Sequence, residues 1–340
     1  MNWLSRGKAL LAVPAYFYRM VVVPLAAYLP APLAYGLACR RGDWRYHRDA
    51  LQRERIMRTL EGVLGKQLSP MERARVTRDY FRLRCCEIVD AMRLGGKGRA
   101  LARLVEIRGR EHLEAALAGG KGVILCGAHL GLYGACGALL GIAGFPVTVV
   151  GRWPSRTDPT MPPAVRAHWR LIIERRIMRH LRWPAIEPEP GQMSSAVQIA
   201  AILRQNAVVT MFIDPPALSP DRTRTVAASL LGHQARLLPG SVTIAQLTGA
   251  PLLMVFLHRS ADWRHQVLEI SPPVPLDGDT AAAFNRCIAL VDAAIRRDPA
   301  HWIYWSRPED LIELGLLPTD FSRAVSSLCP DRQSLTERRA

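Results

Sequence analysis

Four short apolar runs, at residues 122–126, 147–151, 208–213 and 252–257, punctuate the middle of the chain, and longer segments of helical periodicity lie between them. Each run is five or six residues of mostly Val, Ile, Leu, Met and Phe without polar alternation. A strand of that kind is buried on both faces, and two-sided burial requires helices above and below the sheet. The segments at residues 132–142, 193–204, 241–247 and 284–296 supply those helices. The reading is an α/β core, and the chain shows no internal repeat.

The core is preceded by a segment of different character. Residues 9–39 read ALLAVPAYFYRMVVVPLAAYLPAPLAYGLAC, and the uncharged part, residues 20–39, is about the length that crosses a bilayer. Arg19 interrupts the apolar run, Pro24, Pro30 and Pro32 break it, and Arg6, Lys8, Arg40, Arg41 and Arg45 flank both ends. This combination reads as an interfacial or re-entrant membrane anchor, with a spanning helix and a buried hairpin as the alternatives. No A-x-A cleavage pattern marks a secretory signal. Ser69-Pro70-Met71-Glu72 is a capping box with proline at the first helical position, and it predicts a helix over residues 70–94 with Tyr80, Phe81, Leu83, Ile88, Val89 and Met92 on its apolar face. A Gly/Lys break at residues 95–98 closes this lead-in. The expected organisation is therefore a membrane anchor at 1–43, a helical lead-in at 44–98, the α/β domain at 99–317 and a polar tail at 318–340.

Charge narrows the partners. Forty-five basic against 29 acidic residues give a formal charge of +16, which suits lipid headgroups, a phosphorylated substrate or an acidic carrier protein as well as a solvated basic surface. Arg166, Arg170, Arg175, Arg176, Arg179 and Arg182 form a denser basic stretch. Nucleic acid is not expected, because no zinc-finger spacing, RNP aromatic motif or Lys/Arg block with interleaved aromatics is present. Seven cysteines without a C-x-x-C pair, and scattered histidines, predict a reducing compartment and no metal. Gly119-Gly120-Lys121-Gly122 precedes its strand instead of following it, and no P-loop or G-x-S-x-G occurs, so nucleotide and serine-hydrolase chemistries drop out. Trp302 and Trp305, with Tyr304 between them, read as core or as a membrane-proximal belt.

One imidazole stands out. His129 follows the first apolar run, where a strand ends and a helix begins, the edge at which open α/β sheets place ligands. Read in order, KGVILCGAHLG around His129, the Gly-Arg at 151–152, FID at 212–214, LLGHQARLLPGS at 230–241 and DPAHWIYW at 298–305 resemble the bacterial lipid A late acyltransferases, the lauroyl/myristoyl transferase family, over about residues 10–307. The resemblance implies an acyltransferase-type αβα sandwich with a mixed central sheet. It implies an acyl group moved from an acyl-carrier-protein or coenzyme A thioester, used as co-substrate with no other cofactor, to a hydroxyl of a membrane glycolipid at the cytoplasmic face of the inner membrane.

On that pattern His129 is the general base, Asp214 is a second catalytic residue, and Arg152, Tyr133, Gly134 and Arg259, which closes a later strand near the same edge, are substrate-binding. Arg152 and Arg259 also read as plain strand ends, and Asp214, before Pro215 and Pro216, as a turn former. The chain departs from the family at the fifth position after His129, where the His-x4-Asp/Glu carboxylate is replaced by Gly134. Three readings follow. The chain is an acyltransferase in which another carboxylate, foremost Asp214, supports His129 or the acceptor is an amine; or it is a weak relative that binds a lipid or acyl carrier as a partner; or it runs a different condensation or transfer on a carrier-bound acyl group.

Overall fold

The computed structural model describes residues 25, 28–94, 99–151, 175–187, 194–215 and 224–321. The lead-in is a helical hairpin with a third arm. Helices α1 (Ala31–Arg48), α2 (Ala50–Leu64) and α3 (Pro70–Arg93) follow one another with only short breaks. Ser69 and Glu72 close the expected capping box in both directions, so two of the orphan donors at the start of α3 are satisfied. Tyr80, Phe81, Leu83, Val89 and Met92 are buried as the apolar face requires.

Helix α1 is a single helix through residue 43, where the anchor was expected to end. Pro30 and Pro32 lie at its start instead of breaking it, since proline lacks only a donor that is unpaired there anyway. Ala34, Tyr35 and Ala38 are buried in a small cluster with Cys85, Cys86 and Val89 of α3. Among the described residues no helix is long and apolar enough to cross a membrane, and most of the expected anchor, residues 1–24, lies outside them.

Among the described residues six strands make the central sheet: β1 (Val105–Arg108), β2 (Val123–Gly127), β3 (Val147–Val149), β4 (Val208–Phe212), β7 (Leu252–Arg259) and β8 (Gln266–Pro273). Their spatial order is β1-β8-β7-β2-β4-β3. β3, β4, β2 and β7 are mutually parallel, β8 runs antiparallel to β7, and β1 is parallel to β8, so the sheet is mixed. β5 (Val226–Leu230) and β6 (His233–Leu237) form a separate antiparallel hairpin. Every residue of β2 is buried. Ile124, Cys126, Val209, Leu252 and Met254 enter one apolar cluster with residues of α7 (Ser194–Leu203), α8 (Gly240–Thr248) and α9 (Thr280–Arg297). Val123, Leu125, Val208, Leu253 and Val255 enter another with Leu113 of α5 (Arg110–Ala118) and Leu139 and Leu140 of α6 (Cys136–Ile142). A short turn, α4 (Arg99–Ala102), precedes β1, and α10 (Pro308–Glu313) follows the last core segment. Each fully buried Ile, Leu or Val contributes about 1.5–3 kcal/mol, so the central strands are a stiff base for groups carried at their ends.

β1, β8 and the β5/β6 hairpin were not expected from the sequence. β1 is an edge strand with two charged residues in four, and β5 and β6 bury only part of each strand, so none of them shows a continuous apolar run. The helix expected over residues 132–142 begins later, at Cys136, after a 3-10 turn at Tyr133–Ala135. The delay leaves residues 128–132 free to shape a loop. Gly131 holds φ +58°, and a Cβ there would lie 2.4 Å from the Leu257 carbonyl oxygen, so only glycine permits this path.

Candidate active site

The register of β2 and β4 assembles the site. The two strands are parallel with Gly127 opposite Phe212, and the Ile213 N–H donates to the Gly127 carbonyl. Two residues beyond that pair, on the same edge of the sheet, come His129 and Asp214. His129 Nδ1 lies 2.7 Å from Asp214 Oδ1. Asp214 Oδ2 accepts the His129 backbone N–H at 2.9 Å and the Trp302 indole N–H at 3.0 Å. The carboxylate is fully buried, and the three donors compensate the desolvation of its charge. Its grip on Nδ1 leaves Nε2 of a neutral ring as the nitrogen with a lone pair.

The segment 299–306 is the second support. Leu130 pairs with Trp302 across a short antiparallel bridge, Gly131 N–H donates to the His301 carbonyl, and Ile303 N–H donates to the His129 carbonyl. This pairing brings Trp302 under Asp214 and Tyr304 beside His129, with the Tyr304 hydroxyl 3.4 Å from Nδ1. Among the described residues three rings surround the imidazole: Tyr133 at 4.4 Å, Phe212 at 4.7 Å and Tyr304 at 5.5 Å between centroids. Burial pushes the Tyr133 phenol up to about 12 and, with help from Asp214, holds the Tyr304 phenol well above its ordinary value. Both are neutral hydroxyls at physiological pH. The His129 side chain keeps 15% of its surface exposed, so the ring is reachable from outside.

Of the residues singled out in the sequence, the structure brings together His129, Asp214 and Tyr133, with Gly134 next to Tyr133. Among the described residues a Cβ on Gly134 would meet nothing within 4 Å, whereas Gly137 and Gly141 are packing glycines whose added Cβ would strike Val149 and the His180 carbonyl. The small-residue face therefore has two roles, an opening at 134 and a close contact with the β3 side further along. Arg259 is differently placed. Its guanidinium is buried and paired with Asp90 of α3, it donates to the Trp263 carbonyl at 2.9 Å, and its backbone N–H donates to His301 Nε2. In this setting it ties α3 to the sheet and to the 299–306 segment. Arg152, Arg166 and Arg170 lie outside the described residues, and Arg176 of the basic stretch donates to the Met92 carbonyl at 2.7 Å.

Trp302 and Tyr304 are site residues that reading the sequence as core or belt did not find. The available signal was the indole N–H, since a fully buried tryptophan needs an acceptor for it. Among the described residues no group of three or more His, Cys, Asp or Glu is placed to hold a metal ion.

Among the described residues, a buried carboxylate, a partly exposed histidine whose outer nitrogen has no partner, and an aromatic wall form an arrangement that can accept and return a proton. A search of curated proteins finds no match to the chain. Residues 5–307 match the family of bacterial lipid A biosynthesis acyltransferases. With nearly its whole length covered, the chain belongs to the bacterial lipid A biosynthesis acyltransferase family.

Proposed function

We propose that this protein transfers an acyl group from an acyl-carrier-protein or coenzyme A thioester to a hydroxyl or amine of a lipid or glycolipid acceptor, with His129 as general base and Asp214 as the carboxylate that orients it. The observation that carries the reading is the 2.7 Å contact between His129 Nδ1 and Asp214 Oδ1. A carboxylate at the fifth position after the histidine is absent, and the neighbouring strand supplies one in its place.

In the proposed step Nε2 takes the proton of the acceptor as its oxygen or nitrogen attacks the thioester carbonyl. Asp214 stabilises the imidazolium, and that proton passes to the departing thiolate as the tetrahedral intermediate collapses. No covalent enzyme intermediate is required. The open space at Gly134, beside the histidine and Tyr133, is room for the acceptor.

The setting is the cytoplasmic face of the inner membrane. Supporting this, Leu33, Leu37 and Trp44 stand half-exposed or more along α1, with Arg41 and Arg48 stacked on the Trp44 ring. Apolar side chains rimmed by guanidinium groups are the composition of a helix lying in an anionic lipid interface. The net charge of +16 favours an acidic carrier as donor.

The test is acyl transfer by the full chain from a labelled carrier thioester to total lipid extract, with products identified by mass spectrometry. His129→Ala is expected to lose about 10²–10⁴ in turnover, the usual contribution of a general base. Transfer within twofold of the parent would remove His129 from the chemistry.

A further inference from the structure

Helices α1 and α3 are antiparallel and unusually close. Their partners fall on one helix as they rise on the other: Tyr35 with Asp90, Cys39 with Cys86 and Asp43 with Arg82. At Gly42 a Cβ would lie 2.4 Å from the Arg82 Cα, so the two backbones are in contact there. One helical turn from that point, Cys39 Sγ and Cys86 Sγ are 3.8 Å apart. A disulfide brings its sulfurs to about 2.05 Å, and across this tight crossing the two thiols are already neighbours.

The two thiols are not equivalent. Cys86 is fully buried, whereas Cys39 is partly exposed. The Cys39 thiol is held below its ordinary value by its contact with Cys86 and by the Arg82 and Arg259 guanidinium groups, against the pull of its own burial and of Asp43. The Cys86 thiol is held well above its ordinary value by the same contact and by burial. An accessible sulfur in contact with a shielded second thiol is the arrangement of an attacking and a resolving cysteine. The other described cysteines, Cys85, Cys126, Cys136 and Cys287, are buried, and none has a sulfur partner of this kind among the described residues.

We propose that Cys39 and Cys86 are a reversible, hydroperoxide-sensitive thiol pair whose oxidation staples α1 to α3. In the first step the Cys39 sulfur attacks one oxygen of hydrogen peroxide and the O–O bond breaks. Cys39 becomes the sulfenic acid, and the thiol proton leaves with the other oxygen as water. In the second step the Cys86 sulfur attacks the Cys39 sulfur, the S–S bond forms, and the sulfenic oxygen departs as water with the Cys86 proton. Two thiols and one peroxide thus give one disulfide and two waters, and a dithiol reductant reverses the change. The staple lies on the same interface as the Tyr35 and Arg259 contacts to Asp90, and so fixes the helix that carries the exposed Leu33, Leu37 and Trp44. It stands whether or not the protein transfers acyl groups.

The test uses the reduced full chain, treated with hydrogen peroxide, alkylated, digested and mapped by mass spectrometry. The expected result is a Cys39–Cys86 cross-linked peptide, loss of two of the seven thiols, and recovery of both with dithiothreitol. Cys39→Ser abolishes the cross-link, and in Cys86→Ser the Cys39 sulfenic acid is trapped by dimedone. Three results would overturn the proposal: both residues still alkylated under peroxide that oxidises added glutathione, Cys39 bridged to Cys85, or Cys39 bridged to a second chain.

Discussion

Trp302→Phe isolates one donor of the site. The substitution keeps an aromatic ring in a fully buried position and removes the indole N–H that donates to Asp214 Oδ2 at 3.0 Å. A hydrogen bond to a charged group contributes about 1.5–3 kcal/mol, which in a rate corresponds to roughly 10–150-fold if the carboxylate loses its alignment in the transition state. The smaller ring also leaves a cavity against Trp305 and Tyr304, whose rings sit 4.9 and 5.3 Å away. That loss of about 1–3 kcal/mol falls on stability and is read separately as a lower unfolding midpoint. Trp305→Phe is the matched control, because its indole donates to the Pro299 carbonyl at 2.6 Å and not to the carboxylate. The assay is steady-state acyl transfer at saturating thioester, with thermal unfolding of each variant in parallel. The expectation is a kcat at least tenfold lower for Trp302→Phe with KM within about twofold, and a near-parental kcat for Trp305→Phe. Equal losses in the two variants, or a near-parental kcat in Trp302→Phe that remains folded, would refute the positioning role.

Other outcomes follow from the same geometry. Gly134→Glu is expected to fold, since its Cβ meets open space, and to lower kcat/KM for the natural acceptor by about tenfold by filling the space beside His129; a faster enzyme would mean that the position has only lost its carboxylate. Glu87, pushed up to about 7 by burial against the opposing fields of Arg84 and Arg259, binds its proton more tightly in the folded protein than in the unfolded chain. Its contribution is therefore whole below about pH 4.5 and is lost as pH rises toward 7, a change of about 3 kcal/mol; Glu87→Gln should flatten the dependence of the unfolding midpoint on pH in that window, and an unchanged slope would count against it. Replacing Leu33, Leu37 and Trp44 together by glutamate should abolish sedimentation with anionic lipid vesicles while leaving the unfolding midpoint near its parental value, and undiminished binding would place the membrane contact elsewhere.

The parts of this fold that could be read in the sequence are those with one dominant physical cause. The runs that became β2, β4 and β7 are buried on both faces, so their composition alone identifies them, and the Ser69 capping box fixes the start of α3 to the residue. β1 was hidden because Val105 and Ile107 alternate with Glu106 and Arg108 in a strand too short for a pattern. At the site, His129 was legible from its place after a buried strand. The sequence also offers Asp214 as a partner for it, and what it lacks is the register: only the alignment of Gly127 with Phe212 makes equal offsets from the two strands meet. Arg259 shows the opposite limit. Its position at the end of β7 suggested a substrate contact, but the charge that neutralises it, Asp90, lies 169 residues earlier on a helix, where no local pattern reveals it.

The central claim is that a carboxylate just past the end of β4 does the work of the one missing at Gly134, and the turnover number of Asp214→Asn measures it most directly. An asparagine side chain fills the same space, and its oxygen still accepts the His129 backbone N–H and the Trp302 indole. It then presents an amide N–H₂ to Nδ1, which forces the ring proton onto Nε2, the nitrogen that must act as base. The account predicts a folded protein whose kcat falls by about 10³–10⁴, the scale of the corresponding change in a serine-protease triad. A kcat within about fivefold of the parent, in a variant with an unaltered unfolding midpoint, would contradict it.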